Sequence, residues 1–186
     1  AGTLHVQDVL VLFLRFPLAA GLGGFRLTAL CQNILQNFPL CCGISIAFFN
    51  LHGDSALTEH CAKELAKHGA KVALLDVNYE QAKKFANEIG ENALAVKCNC
   101  LEKQSIIDAK KEINDKFGKV NFLINGAGGN NPRASTDNET MTPDLEGVKN
   151  FFELEESGLK FVFDINITSA FLVTQVFAED MVKTGG

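Results

Sequence analysis

The chain has 186 residues, of which 47% are hydrophobic, so it is long enough to form one domain with a substantial core. Its net charge of −5, without a cluster of basic residues, argues against nucleic acid as a partner and favours a small-molecule substrate. Its 6 cysteines lack the spacing of a metal site, and they predict reduced thiols in a cytoplasmic protein.

The first part of the chain, residues 1–50, carries charge only at Asp8, Arg15 and Arg26. Its most apolar run, Val9–Leu14, is much shorter than the roughly 20 residues that span a membrane, so we predict no membrane segment. Because its apolar residues follow neither a helix period nor a strand period, we predict an atypical segment of uncertain structure.

From residue 51 onward, the sequence alternates between amphipathic helices and short apolar strands. The predicted elements, in chain order, are a helix ending at Gly69, a strand over Lys71–Asp76, a helix over Tyr79–Ile89, a strand over Ala93–Lys97, a helix over Ser105–Phe117 and a strand over Val120–Ile124. Strands that are apolar throughout are typical of a parallel sheet buried on both faces. Residues 51–186 are therefore predicted to form a doubly wound α/β domain with a Rossmann-like parallel sheet.

Polar side chains follow these strands at their carboxyl ends, where doubly wound domains bind ligands. Asp76 ends the first strand, and a carboxylate there can accept hydrogen bonds from the adenosine ribose of a dinucleotide. It would repel the additional phosphate of NADP, and the next residues, Val77 and Asn78, carry no compensating positive charge. The predicted cofactor is therefore NAD, with NADP less favoured. The alternative, equally open from position alone, is that Asp76 only caps the next helix.

A glycine-rich turn, Asn125-Gly126-Ala127-Gly128, follows the last predicted strand. Because glycine has no side chain, the backbone of such a turn can approach a ligand closely. The segment resembles the fourth strand of short-chain dehydrogenases/reductases, which ends in Asn-Asn-Ala-Gly or a close variant. The resemblance implies that this turn lies beneath the nicotinamide-side ribose, whereas an ordinary glycine-rich turn is the alternative.

The segment Phe161–Phe171 supports the same resemblance, because it matches the family's fifth helix, with an inward-facing asparagine followed by small residues. Asn166 is then implied to be the family's structural and proton-relay asparagine, and it is the catalytic candidate. An asparagine is unfavourable within a helix, which fits a position kept for water or backbone contacts, although a plain polar position is the alternative. The resemblance also places Asn99 where the family has an aspartate that receives the adenine amino group.

The resemblance covers about residues 60–186, and the loop Gly126–Glu139 narrows it to bacterial family members of the D-mannonate oxidoreductase or fructuronate reductase type. It implies hydride transfer between a nicotinamide and a sugar acid, and an intact enzyme that is a homo-oligomer. The alternative is a non-catalytic module that binds a nucleotide or mediates oligomer contacts.

Two features of the family are missing from the sequence. The glycine-rich phosphate-binding segment should occupy residues 51–59, where only Gly53 remains as a cofactor-binding candidate, so we expect the residues before 60 to be foreign or out of frame. The chain also ends at Gly186, before the strand that carries the family's catalytic serine, and it lacks the later Tyr-x-x-x-Lys. We therefore expect a C-terminally truncated fragment that is inactive by itself.

Truncation also has an expected structural consequence, because the loss of later strands exposes a sheet edge and uncovers an apolar face. Low stability or aggregation is expected to follow. The aromatic side chains expected to lose burial are Phe151, Phe152, Phe161, Phe163, Phe171 and Phe177.

Overall fold

The computed structural model of the protein describes residues 11–13, 45–49, 55–140 and 147–184. The strands are β1 (Val11–Phe13), β2 (Ser45–Phe49), β3 (Lys71–Asp76), β4 (Ala93–Lys97) and β5 (Phe122–Asn125). The helices are α1 (Ser55–Lys67), α2 (Tyr79–Ile89), α3 (Lys103–Phe117), α4 (Glu156–Phe163) and α5 (Ser169–Thr184). A π-helical turn, Asp164–Thr168, joins α4 to α5, and 3-10 turns span Pro132–Ala134 and Phe151–Glu153.

The strands form one sheet in the order β1-β5-β2-β3-β4, and every neighbouring pair runs parallel. Parallel neighbours need crossover connections, and here α1, α2 and α3 connect β2, β3, β4 and β5 in turn. The predicted doubly wound, Rossmann-like α/β fold is therefore confirmed.

Local sequence explains where the helices begin and end. Asn78 caps the start of α2, since its side-chain oxygen accepts a hydrogen bond from the Gln81 backbone N–H at 3.3 Å. Gly90 and Gly118 follow the ends of α2 and α3 with φ angles of 99° and 81°, in a backbone region that residues with a Cβ rarely adopt. Glycine at these points ends each helix and directs the chain into the next strand.

The core has one layer on each face of the sheet. Leu65 and Phe85 are buried in the layer between the sheet and the helices α1 and α2. Ile106, Ile113 and Phe177 are buried in the layer between the sheet and the helices α3 and α5. Burial of a large apolar side chain stabilises a fold by about 1.5–3 kcal/mol, so helices on both faces hold the sheet in place.

Two of the strands come from residues 1–50, the segment predicted to be atypical. β2 lies at the centre of the sheet, between β3 and β5, and its Ala47 is fully buried. β1 pairs with β5 on the other side of β5, with Val11 opposite Leu123. β5 is therefore not an edge of the sheet, because a short strand from the start of the chain pairs with it, and the described sheet ends at β1 and β4. Where the domain begins stays a prediction.

The exposure of the C-terminal aromatic side chains follows the expectation except at one position. The exposed phenylalanines are Phe151, Phe152, Phe161, Phe163 and Phe171. Phe177 is only 1% exposed, so its predicted loss of burial is wrong. It lies on the face of α5 that packs against the sheet, together with Val173 and Met181.

The cysteines follow the expectation only in part. Cys98 and Cys100 are free and buried, as expected for reduced thiols. Cys61 is disulfide-bonded, so the expectation of reduced cysteines is wrong at this position. A disulfide depends on which residues the fold brings together, and sequence spacing does not reveal that. Within the described ranges, no group of 3 or more His, Cys, Asp or Glu side chains is placed to hold a metal ion.

One helical stretch, Glu156–Lys183, is long and apolar enough to cross a membrane by length and composition, with a mean hydropathy of 1.5. About a third of its most apolar window, 33%, is buried inside the protein, and Ile165 and Met181 belong to the core. Core helices of soluble proteins satisfy the same criteria, so this is weak evidence for a membrane segment. The expected lack of a membrane partner stays a prediction.

Candidate cofactor-binding site

The candidate cofactor residues meet at the carboxyl edge of the sheet. Asp76 ends β3 and Asn125 ends β5, and these two strands flank β2. The register places Phe49, the last residue of β2, opposite Asn125 on one side and opposite Leu75, the neighbour of Asp76, on the other. Asn99 follows the end of β4 at the same edge. The structure therefore brings Asp76, Asn99 and Asn125 to one side of the sheet, as predicted.

Asp76 is only 7% exposed, and its carboxylate oxygen Oδ1 accepts a hydrogen bond from the Asn78 backbone N–H at 2.7 Å. Asn78, rather than Asp76, accepts the hydrogen bond that caps α2. Asp76 therefore fixes the residue that caps the helix without being the cap itself. Asn78 thus takes the role of helix cap that was the alternative for Asp76. Ribose binding by Asp76 stays a prediction.

The turn after β5, residues 126–129, packs directly against the helix that carries Asn166. A Cβ atom added to Gly128 would lie 2.8 Å from the Asn166 side-chain oxygen Oδ1, which is closer than such atoms approach in proteins. The next residue, Gly129, has no atom within 4 Å of the same position. The lack of a side chain at Gly128 thus allows the close approach of turn and helix.

Asn166 lies in the π-helical turn between α4 and α5. Its side-chain nitrogen Nδ2 donates hydrogen bonds to the backbone oxygens of Gly129 and Val162, both at 2.8 Å. Its oxygen Oδ1 accepts a hydrogen bond from the Gly129 backbone N–H at 3.2 Å. Single π-helical turns often occur at functional sites. Asn166 makes the backbone contacts expected of it, and its proton-relay role stays a prediction.

Asn125 is 5% exposed, and its side-chain nitrogen Nδ2 lies 3.2 Å from the hydroxyl oxygen of Thr174 on α5. Its oxygen Oδ1 is buried and has no hydrogen-bond partner among the described residues. Sequence reasoning identified Asn125 but missed Thr174. Spacing from Asn166 gave no usable signal, because eight residues turn an α-helix about 80° beyond two full turns and so leave the two side chains on different faces.

Asn99 forms part of the turn that leads from β4 into α3. Its oxygen Oδ1 accepts a hydrogen bond from the Leu101 backbone N–H at 3.1 Å, and its nitrogen Nδ2 donates to Glu102 at 2.8 Å. A carbonyl oxygen has a second lone pair, so contact with adenine stays a prediction. Gly53, the last candidate, lies outside the described residues.

The cysteines beside Asn99 do not add a nucleophile to this edge. Burial raises the pKa of Cys98 to about 12 and the pKa of Cys100 to about 11. Both thiols therefore stay protonated at neutral pH, and a protonated thiol is a weak nucleophile.

Comparison with known proteins agrees with this geometry. The family model described as short chain dehydrogenase matches residues 52–186. An uncharacterized oxidoreductase of Haemophilus influenzae is 48% identical over 134 residues, which are 70% of this chain and 47% of the relative. The uncharacterized oxidoreductase UxuB of Bacillus subtilis is 43% identical over 134 residues, 70% of this chain and 48% of the relative. The chain thus spans about half the length of these curated relatives.

Two solved structures have the same fold. One is a protein from Haemophilus influenza that is provisionally described as a D-mannonate oxidoreductase and was crystallised with bound NAD. It is 44% identical to this chain with a TM-score of 0.70, and the match covers 75% of this chain and 51% of that protein. The 3-ketoacyl-(acyl-carrier-protein) reductase of Brucella melitensis, complexed with NADH, is 24% identical with a TM-score of 0.57, covering 77% and 54%. The second likeness concerns the fold alone. The chain therefore belongs to the short chain dehydrogenase family.

Proposed function

We propose that this chain binds NAD as part of an oxidoreductase that transfers hydride between NAD and a sugar acid of the D-mannonate or fructuronate type. One observation carries the proposal. The buried carboxylate of Asp76 and the glycine turn at residues 126–129 lie at the same sheet edge, on the two sides of β2. This is the place where doubly wound sheets bind dinucleotides.

The residues at this edge fit NAD. A carboxylate at Asp76 suits the adenosine ribose hydroxyls, and the 2.7 Å hydrogen bond from Asn78 holds it in place. The additional phosphate of NADP would meet this negative charge, with neutral residues at Val77 and Asn78. Gly126, Ala127 and Gly128 are proposed to lie beneath the nicotinamide-side ribose, and Asn99 is proposed for adenine. When bound, NAD supplies the nicotinamide that accepts or returns a hydride.

The chain's own residues position the cofactor and handle protons. Asn166 holds Gly129 through hydrogen bonds to both its N–H and its C=O, and we assign to Asn166 the proton-relay role of the family. The only tyrosine, Tyr79, begins α2, the helix that follows Asp76, and lies ahead of Asn166 in the chain, which is the reverse of the family's order. We therefore propose that this chain alone binds without catalysis.

A sugar acid carries a carboxylate, and Arg133 is the proposed cation for it. Two hydrogen bonds hold its backbone. The Arg133 N–H donates to the Asn131 side-chain oxygen at 2.9 Å, and the Arg133 C=O accepts from the Glu155 backbone N–H at 2.9 Å. Its side chain is 63% exposed, and the nearest carboxylate, that of Glu155, is 3.8 Å away. This exposed ion pair with Glu155 is weak, so an arginine held at its backbone can exchange it for two parallel hydrogen bonds to a substrate carboxylate.

The test of cofactor binding is isothermal titration of the full chain with NAD and with NADP. We expect NAD to bind more tightly, and Asp76→Asn to reduce the difference between the two. Asp115→Asn, an exposed carboxylate on α3, is the matched control and should leave both affinities unchanged. Lack of any NAD binding by the folded chain would overturn the proposal.

The test of the substrate class uses the chain saturated with NAD. We expect D-mannonate to bind and the uncharged D-mannose to bind much less, with Arg133→Gln removing the preference. No NADH should form, since catalysis is assigned to residues that this chain lacks. Equal binding of the acid and the neutral sugar would contradict a sugar-acid substrate.

The second candidate is an interaction module, with or without a bound nucleotide, and the exposed apolar side chains of α4 and α5 favour it. Leu159, Phe163 and Phe171 are 52%, 54% and 61% exposed, an unusual set for a free surface. Sedimentation analysis distinguishes the candidates, because a self-associating module without NAD binding would fit only the second. The first proposal also includes that the intact enzyme is a homo-oligomer in the cytoplasm. It further includes that neither nucleic acid nor a membrane is its partner.

A further inference from the structure

The glycine turn is attached to one helix at both of its ends. At its far end, Gly129 exchanges backbone hydrogen bonds with the Asn166 side chain, at 2.8 and 3.2 Å. At its near end, the Asn125 side chain bonds the hydroxyl oxygen of Thr174 at 3.2 Å. Residues 126–128 lie between these two attachments, so their shape depends on both.

The attachment at Thr174 is energetically unusual. Asn125 is 5% exposed in a strand otherwise made of apolar residues, and its oxygen has no partner among the described residues. An unpaired buried polar atom costs on the order of 1–3 kcal/mol, so an apolar residue would suit stability better. An asparagine at this position therefore indicates a role in placing the turn.

Thr174 is the group that gives the Asn125 amide one orientation. It lies next to Val173, which is buried in the core, and its hydroxyl oxygen is the only hydrogen-bond partner shown for the Asn125 side chain among the described residues. Without that oxygen, the amide would have two unpaired polar atoms. It would then rotate or move out of the core, and the backbone of Gly126 would move with it.

We propose that Thr174 is a positioning residue for the cofactor-binding turn, acting through Asn125. Its hydroxyl holds the start of the turn, Asn166 holds the end, and together they keep residues 126–128 in the shape that binds the dinucleotide. This inference rests on the proposed binding of NAD.

The experiment measures NAD affinity by isothermal titration and the melting temperature by circular dichroism for each variant of the full chain. Thr174→Val keeps the shape of the side chain and removes the hydroxyl, and we expect about a tenfold loss of NAD affinity, or about 1.4 kcal/mol. Thr174→Ser restores the hydroxyl and should restore affinity. Thr136→Val is the control, since the hydrogen bond shown for the Thr136 hydroxyl within the described ranges is to the backbone oxygen of the exposed residue Asn138.

A double variant separates positioning from stability. Replacing both partners, as Thr174→Val with Asn125→Leu, leaves no unpaired polar atom, so it should recover the melting temperature that the single variant loses. If Thr174 positions the turn, the double variant still binds NAD weakly. Hydrogen exchange at the backbone amides of residues 126–129 should be faster in both variants.

The outcomes are distinct. If the unaltered chain does not bind NAD, the proposed function is overturned and this inference with it. If the unaltered chain binds NAD and Thr174→Val binds it equally well, only the inference is overturned, even when the melting temperature falls. If the single variant does not fold, the double variant is compared with Asn125→Leu alone: equal NAD affinity of these two supports action of Thr174 through Asn125, and a further loss in the double variant refutes it.

Discussion

Substitution of alanine for glycine at two adjacent positions tests the contact between the turn and the helix. At Gly128, the new Cβ would lie 2.8 Å from the Asn166 oxygen Oδ1 and 3.7 Å from its Cγ. At Gly129, no atom lies within 4 Å of the new Cβ. Neither residue has a φ in the left-handed region, so backbone strain does not confuse the comparison.

The size of the effect depends on whether Asn166 can move away. Its amide donates to Gly129 and Val162 and accepts from Gly129, so movement would break or lengthen these hydrogen bonds. Each contributes about 0.5–1.5 kcal/mol net, and Asn166 is exposed, so we expect Gly128→Ala to cost about 1–3 kcal/mol. For a domain of this size, each kcal/mol lowers the melting temperature by about 2–4 °C. Gly129→Ala should change stability by less than about 0.5 kcal/mol.

The assay is urea denaturation of four variants. They are Gly128→Ala, Gly129→Ala, Asn166→Ala, and the double variant that combines Gly128→Ala with Asn166→Ala. Because Asn166→Ala removes the atoms that the new Cβ would meet, the second substitution should cost much less in that background. Equal stability of Gly128→Ala and Gly129→Ala would show that turn and helix are not in close contact. An undiminished cost in the Asn166→Ala background would show that some other contact is responsible.

Three further results are expected. Gly158→Ala should destabilise the protein more than Gly128→Ala in the same urea assay, because the new Cβ would lie 2.6 Å from the Arg133 Cβ and 2.8 Å from backbone atoms. Equal stability of the Gly158→Ala and Gly128→Ala variants would contradict this packing. Cys98, whose pKa burial raises to about 12, should react with a thiol reagent at pH 8 only after unfolding, and rapid labelling of the native chain would show otherwise. Burial disfavours the charged form of Asp180, but the Lys110 amino group at 3.1 Å and a hydrogen bond from the Asn114 amide together outweigh burial and hold the Asp180 pKa below its ordinary value. Stability from this pair is therefore complete above about pH 4 and is lost as the pH falls through the lowered pKa, and the acid-induced loss should be smaller in Asp180→Asn.

Several elements were readable from local sequence because their determinants are local. β3 and β4 are apolar runs of strand length, and α2 has a cap at Asn78 and a glycine at its end, so their bounds match the predictions. The positions of Asp76 and Asn125 at one sheet edge follow from the same pattern. In a parallel sheet, the strand that ends in a polar residue places that residue at the carboxyl edge.

Other features depend on contacts between distant parts of the chain. Phe177 is buried because α5 turns that face toward the sheet, and β1 covers β5 although more than a hundred residues separate them in sequence. The pairing of Asn125 with Thr174 is of the same kind, since no local pattern distinguishes a threonine that faces a buried amide from one that faces solvent.

The sequence by itself therefore determined the α/β class, the bounds of β3, α2 and β4, and the family to which the chain belongs. Periodicity, helix caps and short motifs act within a few residues, and the sequence records them directly. Only the tertiary structure decided which strand covers the β5 edge, which aromatic side chains are buried and how the glycine turn is held. These outcomes depend on packing between segments that meet only after the chain has folded.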